Sequence, residues 1–165
     1  MADIDELKIQ DFDIEIKADG RWFHEGGEIK RMGLVRLFAS VLSCDDEGRY
    51  WLTTPVEKGE IRVEDAPFVI HAMRVQGHGE QQEIFLTDNL GTEYRLSEQT
   101  PLMMHIQAST DPKPYLHLEK GLTARIKHAV FYEMAELALS AESKNKEGYV
   151  ALWSAGMLFA LEAQS

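Results

Sequence analysis

Cysteine is almost absent from this chain. Only Cys44 carries a thiol among 165 residues, so no internal disulfide can form and cysteine-rich zinc sites are excluded. Positive charge is scarce as well: 17 Lys and Arg stand against 28 Asp and Glu, a formal net charge of −11. A field of that sign repels phosphate backbones, so no nucleic-acid polymer is expected as a partner. Long apolar runs are missing too. No stretch approaches the ~20 apolar residues that a bilayer span needs, so no membrane partner is expected. The first sixteen residues hold six acidic side chains and no basic start leading into an apolar run, which is not the pattern of a secretory signal. With a lone cysteine, the expected compartment is the reducing cytoplasm.

What is present is ordinary globular material, 44% hydrophobic and 27% charged. At 165 residues such a chain buries about 70% of its unfolded surface, enough for a core without staples. The pattern begins with a hairpin: Phe12, Ile14 and Ile16 alternate, Asp19-Gly20 turns, and Arg21–Glu25 follows. Leu34, Val35, Leu37, Phe38, Val41 and Leu42 then recur at helical spacing until the acidic turn at Asp45–Gly48. Seven strands are expected next, over 50–54, 57–63, 68–75, 82–87, 92–96, 102–107 and 115–118, divided by Gly, Pro, Asn or Asp. A longer helix is expected over 122–141, then short strands over 149–153 and 158–161. The fold class is α+β, two related units of mostly antiparallel strands with one main helix each, at residues 1–66 and 67–165.

A faint echo supports that division. Ile61-Arg62-Val63 leads by a short turn to Pro67 and His71, as Tyr94-Arg95-Leu96 leads to Pro101 and His105, the prolines 34 residues apart. The order helix, glycine turn, aromatic strand also occurs twice, at 31–52 and 125–153. On a helical wheel Arg31 falls between Phe38 and Leu42, on the core side of the first turn, where a charge needs a carboxylate or a bound anion. Two readings stay open: a structural ion pair, or an anion site at a helix start with Gly26-Gly27 before it and Lys30 beside it. Glu133 falls inside the apolar stripe Leu122, Ile126, Val130, Met134 and Leu137 of the second helix, and an Arg31–Glu133 pair would satisfy both. That helix, apolar almost all round, suits a wedge between the units or a dimer contact.

Catalytic patterns are lacking. The six histidines show no metal spacing; His71 and His105 read as half-buried sheet residues and His78 as a loop tip. Ser154 in WSAG is not a nucleophile elbow. Asp45 and Asp46 beside Cys44 disfavour a reactive thiolate. No cofactor is expected.

The stretches DGRWFHEGGEIKR, LVRLFASVL, TTPVEKGEIRVEDAPF, the KPY at Lys113–Tyr115 and GYVALWSAG together resemble the bacterial family called domain of unknown function 1285, over roughly residues 17–160. The resemblance implies a duplicated α+β core whose C-terminal half is pleckstrin-homology-like. It also implies a cleft between the halves for a nucleotide-like ligand, and a part in signal transduction. Carried over by residue, the ligand-binding positions are Trp22, His24, Arg31, Thr54, Glu57, Lys58, Asp65 and Tyr115. Arg31 and Lys58 would meet phosphate, and Trp22 and Tyr115 the base. The expected function is thus a non-enzymatic module for a small anionic ligand. The alternatives are a protein-interaction module with a protein partner, and an enzyme of unspecified reaction.

Overall fold

The computed structural model describes residues 9–105, 113–140 and 150–161 of the chain. Residues 1–8, Gln107, Ala141 and Tyr149, which the sequence reading placed in an acidic start or at element ends, lie outside the described residues. The chain divides into two compact units, Met1–Pro67 with Glu119–Leu122, and Phe68–Leu118 with Thr123–Ser165.

The first unit carries strands β1 (Ile9–Ile16), β2 (Trp22–His24), β3 (Gly27–Glu28), β4 (Leu42–Cys44), β5 (Tyr50–Thr53) and β6 (Lys58–Val63), with helix α1 (Met32–Ser40) between β3 and β4. They form one sheet in the order β3-β2-β1-β6-β5-β4, antiparallel throughout except for the parallel pair β1–β6. The β2–β3 hairpin turns on Glu25-Gly26, both at positive φ (50° and 83°), the backbone that a tight two-residue turn demands. Ile14, Ile16, Trp22, Val35, Leu42, Leu52 and Ile61 make its core.

The second unit carries β7 (Phe68–Gln76), β8 (Glu83–Asp88), β9 (Glu93–Arg95), β10 (Leu102–His105), β11 (Lys113–His117) and β12 (Thr123–Ile126), then helix α2 (His128–Leu139) and the hairpin β13 (Ala151–Ser154) and β14 (Met157–Ala160). Its sheet runs β10-β11-β12-β7-β8-β9, again antiparallel except for one parallel pair, β12–β7. Each unit is therefore two three-stranded meanders joined by its own first and last strands, and the two sheets have the same topology. The fold is α+β with duplicated units. Strand β8 alternates cleanly, burying Ile84, Leu86 and Asp88. Asp88, fully buried, accepts the N–H groups of Leu90 and Thr92 and the Tyr94 hydroxyl at 2.9–3.0 Å. Burial and that carboxylate push the Tyr94 phenol well above its ordinary value. Ser154 Oγ, also fully buried, donates to the Leu96 carbonyl at 2.6 Å and accepts from Ile84 N–H at 3.0 Å, so its hydroxyl is spent on structure.

Several expectations change. The helix expected from Leu122 begins only at His128, because Thr123–Ile126 is strand β12, with Ala124 and Ile126 buried in alternation. An apolar spacing of four satisfies both periods, which is why the segment read as helix. Leu42, likewise assigned to a helix, opens strand β4. With α2 starting later, its buried stripe is Val130, Met134 and Ala138, and Glu133 is exposed. Arg31 is exposed too, standing at the N-cap of α1 rather than inside its first turn. Neither residue then needs the partner that the wheel demanded. The proline echo also fails as a repeat: β6 is a central strand of the first sheet, whereas β9 and β10 are opposite edges of the second. His71 is exposed on β7, not half-buried. The second echo fails similarly, since β5 lies in the first sheet and β13 in a separate two-stranded one.

Within the first unit, the Glu119–Leu122 turn lies against β4. Gly121 has φ +73°, and a Cβ there would fall 2.5 Å from the Cys44 carbonyl oxygen. Gly33, in α1, has open space where a Cβ would stand. Gly121→Ala should therefore cost about 2 kcal/mol or more and lower Tm by roughly 5 °C. Gly33→Ala should stabilise by about 0.5–1 kcal/mol, since alanine is the better helix former. Thermal denaturation of the two variants checks both signs.

Candidate functional site

The expected site residues fall in several places. Thr54, Glu57 and Lys58 share the β5–β6 turn. Thr54 N–H bonds the Glu57 carbonyl at 2.9 Å, and Thr54 Oγ1 accepts Glu57 N–H at 3.1 Å, so this threonine closes the turn. Glu57 accepts Gln10 Nε2 at 2.9 Å, tying the turn to the start of β1. The next glycine has a steric cause: a Cβ on Gly59 would run into the Phe12 ring. Lys58 is left to point along the outward face of the sheet. Its Nζ lies 4.5 Å from the centroid of the Trp51 ring, and it forms no ion pair with any described carboxylate.

Trp51 is the centre of that outward face. It stands opposite Ser43 on β4 and Glu60 on β6 and is only 6% exposed. Arg49, two residues earlier, covers it from the other end of the strand with Cζ 4.8 Å from the ring centroid. Each cation over an indole face contributes about 0.5–2 kcal/mol, more as water is excluded. The indole N–H donates to Asp45 Oδ2 at 2.9 Å, and Asp45 Oδ1 accepts the backbone N–H groups of Glu47 and Arg49 at 2.9 Å. The hydrogen bond from Trp51, then that from Arg49 N–H, hold the Asp45 carboxyl below its ordinary value. Arg49 binds Glu60 through two bonds, at 3.0 and 2.8 Å, which lower the Glu60 carboxyl likewise. So Arg49 is neutralised, while Lys58 over the same ring is not.

The remaining positions belong to other elements. Trp22 is 1% exposed, stacks on Phe38 with centroids 6.2 Å apart, and has a buried indole N–H without a partner among the described residues. His24, on the same strand β2, is exposed, with Nε2 3.8 Å from a Glu25 carboxylate oxygen. Arg31 and Lys30 are exposed at the start of α1, whose first turn holds neither an acidic residue nor a side-chain cap. Neither cation forms an ion pair with a described residue. Asp65 is half-buried and bonded in the segment leading to β7. Tyr115 belongs to the second unit, on β11 opposite Arg125, whose guanidinium carbon lies 5.4 Å from its ring centroid. Burial first, with the Asp45 charge adding to it, pushes the Cys44 thiol up, which keeps it protonated near neutrality. Among the described residues no group of three or more His, Cys, Asp or Glu could hold a metal ion.

Sequence reasoning missed Asp45, Arg49, Trp51 and Glu60 as a unit. The signal was there: Arg49-x-Trp51 and Lys58-x-Glu60 alternate on adjacent strands, and pairing those strands across their short turn places all four side chains on one face.

The Asp45 carboxylate gives a pH test. Because its folded value lies below the unfolded one, the stability it confers is present above the unfolded value and lost as pH falls through the folded one. Asp45→Asn should thus lower Tm at neutral pH. That difference should close progressively below about pH 4, the ordinary carboxylate range. Melting curves of both proteins from neutral to acid pH check it.

Family comparisons agree over both units. The N-terminal domain of the family, described as a domain of unknown function (DUF1285), matches residues 6–66, and the C-terminal domain, described as a protein of unknown function (DUF1285), matches residues 67–161. No curated protein matches. Two solved structures are similar. A DUF1285 family protein from Silicibacter pomeroyi is 37% identical with a TM-score of 0.82, covering 94% of this chain and 82% of its own. A second, from Shewanella baltica, is 27% identical with a TM-score of 0.61, covering 81% of this chain and 97% of its own. With both family domains matched in order along nearly the whole described chain, the protein belongs to the DUF1285 family.

Proposed function

We propose that this protein is a non-enzymatic module that binds a small anionic, nucleotide-like ligand, with Arg31, Lys30 and Lys58 as its cationic contacts. One observation carries the reading. In the first unit Lys17, Arg21, Arg49 and Arg62 are each paired with carboxylates, whereas Arg31, Lys30 and Lys58 have no such pairing among the described residues. In a chain of net charge −11 a cation without a carboxylate partner is available to an external anion. The N–H groups at the start of α1, without a competing acidic side chain, favour the same charge. Trp22, 1% exposed, would serve as apolar backing rather than as an open stacking shelf.

Finer parts of the reading are a signalling role, a pleckstrin-homology-like second unit and a cytoplasmic setting. The support for the second is a helix laid on a six-stranded sheet, and for the third the single cysteine. A protein-interaction role is the second reading, favoured by the exposure of Leu37 on α1 and Val56 in the β5–β6 turn, 61% and 80%.

Thermal stability against nucleotides, dinucleotides and cyclic dinucleotides, with phosphate and sulfate as controls, tests the first reading. A ligand at 100 times its Kd should stabilise by about 2.7 kcal/mol, or roughly 5–10 °C in Tm. Arg31→Glu and Lys58→Glu should fold and lose most of that shift. An undiminished shift in both variants would remove these cations from binding, and a flat panel would transfer the weight to the protein-interaction reading.

A further inference from the structure

Helix α1 buries one of its nine residues, Val35. Gly33 and Leu37, about one turn apart, stand on the opposite side, with Leu34 beside Leu37. Leu37 is 61%, Met32 42% and Leu34 37% exposed. A Cβ on Gly33 would have no atom within 4 Å, so the glycine leaves a gap beside Leu37 that an incoming side chain can fill. Ser40, next along that side, has its hydroxyl turned back to the Leu37 carbonyl at 2.6 Å.

Charge on this face has one sign. Residues 29–44 contain no Asp or Glu, in a chain that has 28 of them. Lys30 and Arg31 are exposed where the helix begins and form no ion pair with a described residue, and exposed Arg36 lies along the outer side. The carboxylates that flank the stretch are engaged elsewhere, Glu28 with Arg21 at 3.2 Å and Asp45 with the Trp51 indole at 2.9 Å. An apolar, positively charged face in a protein of net charge −11 narrows its occupant. A bilayer or a nucleic-acid polymer extends its negative charge beyond the patch, onto the carboxylates of the rest of the chain. A small anion would leave Met32, Leu34 and Leu37 in water. A short acidic segment with apolar side chains covers the leucines as well as the cations. It meets the patch alone, since salt screens its charge beyond about 8 Å.

We infer that α1 docks an acidic, amphipathic segment of a partner protein, its apolar side chains against Leu34 and Leu37 with one seated over Gly33, and its carboxylates against Lys30 and Arg31. The inference rests on the protein-interaction reading and supplies the chemistry of the partner.

A displayed library of random peptides of about twelve residues, roughly three helical turns, is panned on the full chain. Enriched peptides should be acidic, carry apolar residues three or four apart, and bind less tightly as salt is raised. Leu37→Glu, Arg31→Glu and Gly33→Gln change only exposed positions, so each should keep the wild-type circular dichroism spectrum and weaken those peptides about tenfold or more. Enrichment of neutral or basic peptides, or of acidic ones that bind Leu37→Glu as tightly as wild type, would overturn the inference and leave a protein-interaction role at another surface. A library with no enriched peptide would overturn both. Flotation with phosphatidylcholine–phosphatidylglycerol vesicles and sedimentation velocity of the chain alone address the other occupants. Vesicle binding or self-association that Leu37→Glu abolishes would also overturn the inference; neither should be seen.

Discussion

Each unit of this fold depends on one parallel pairing between its first and last strands. In the first unit Ile16 lies beside Val63, and in the second Ile70 lies beside Ile126. The same hydrogen bond closes both seams: Glu64 N–H donates to the Ile16 carbonyl at 2.9 Å, and Lys127 N–H to the Ile70 carbonyl at 3.1 Å. In each case the donor is the residue just after the last strand. The meanders on either side pair strands that are close in sequence, whereas the seam joins the two meanders. The seam is the strand pairing of largest sequence separation in each six-stranded sheet, so the loop-closure entropy of the sheet is greatest there. Both first strands also carry a register shift, between Asp11 and Glu15 in β1 and between Ile70 and Ala72 in β7, which bends the strand beside the seam.

Equal topology carries unequal chemistry. The first unit places its helix between the meanders and leaves one sheet face to charge, where Trp51 is enclosed by Arg49 and Lys58 and anchored to Asp45. The second places its helix after the last strand and buries polar groups instead. Asp88, Gln82 and Ser154 are each satisfied inside it, Gln82 Nε2 donating to the Trp153 carbonyl at 2.9 Å. Buried polar groups fix register because an unsatisfied one costs about 1–3 kcal/mol, so this unit is specified by its polar interior. In the first unit Arg31, Lys30 and Lys58 form no ion pair among the described residues, which is why the ligand reading rests there.

Most strands were legible because their alternation is local. Strands β5 to β9 begin and end within two residues of the expectation, each flanked by the Gly, Asp or Asn that turns the chain. The two segments misread as helix, Leu42–Cys44 and Thr123–Ile126, adjoin true helices and satisfy both periodicities. One of them, β12, is half of a parallel seam, so the duplicated topology stayed hidden while that segment was read as a helical turn. The division into related halves was nonetheless visible, although it was drawn from proline echoes whose strands are not equivalent. Of the expected site residues, the Thr54–Lys58 turn could be read as one group because it is contiguous. The Trp51 cluster could not be read from any single stretch, since it exists only once β5 and β6 are paired.

Native-state hydrogen exchange tests the dependence on the parallel seams most directly. If the seams hold the sheets, the amides of Glu64 and Lys127 exchange only through global unfolding of their unit, as slowly as the best-protected hairpin amides. Exchange at Glu64 and Lys127 through a low-energy opening, while β5–β6 and β7–β8 remain protected, would contradict that account and make the hairpins the units of stability.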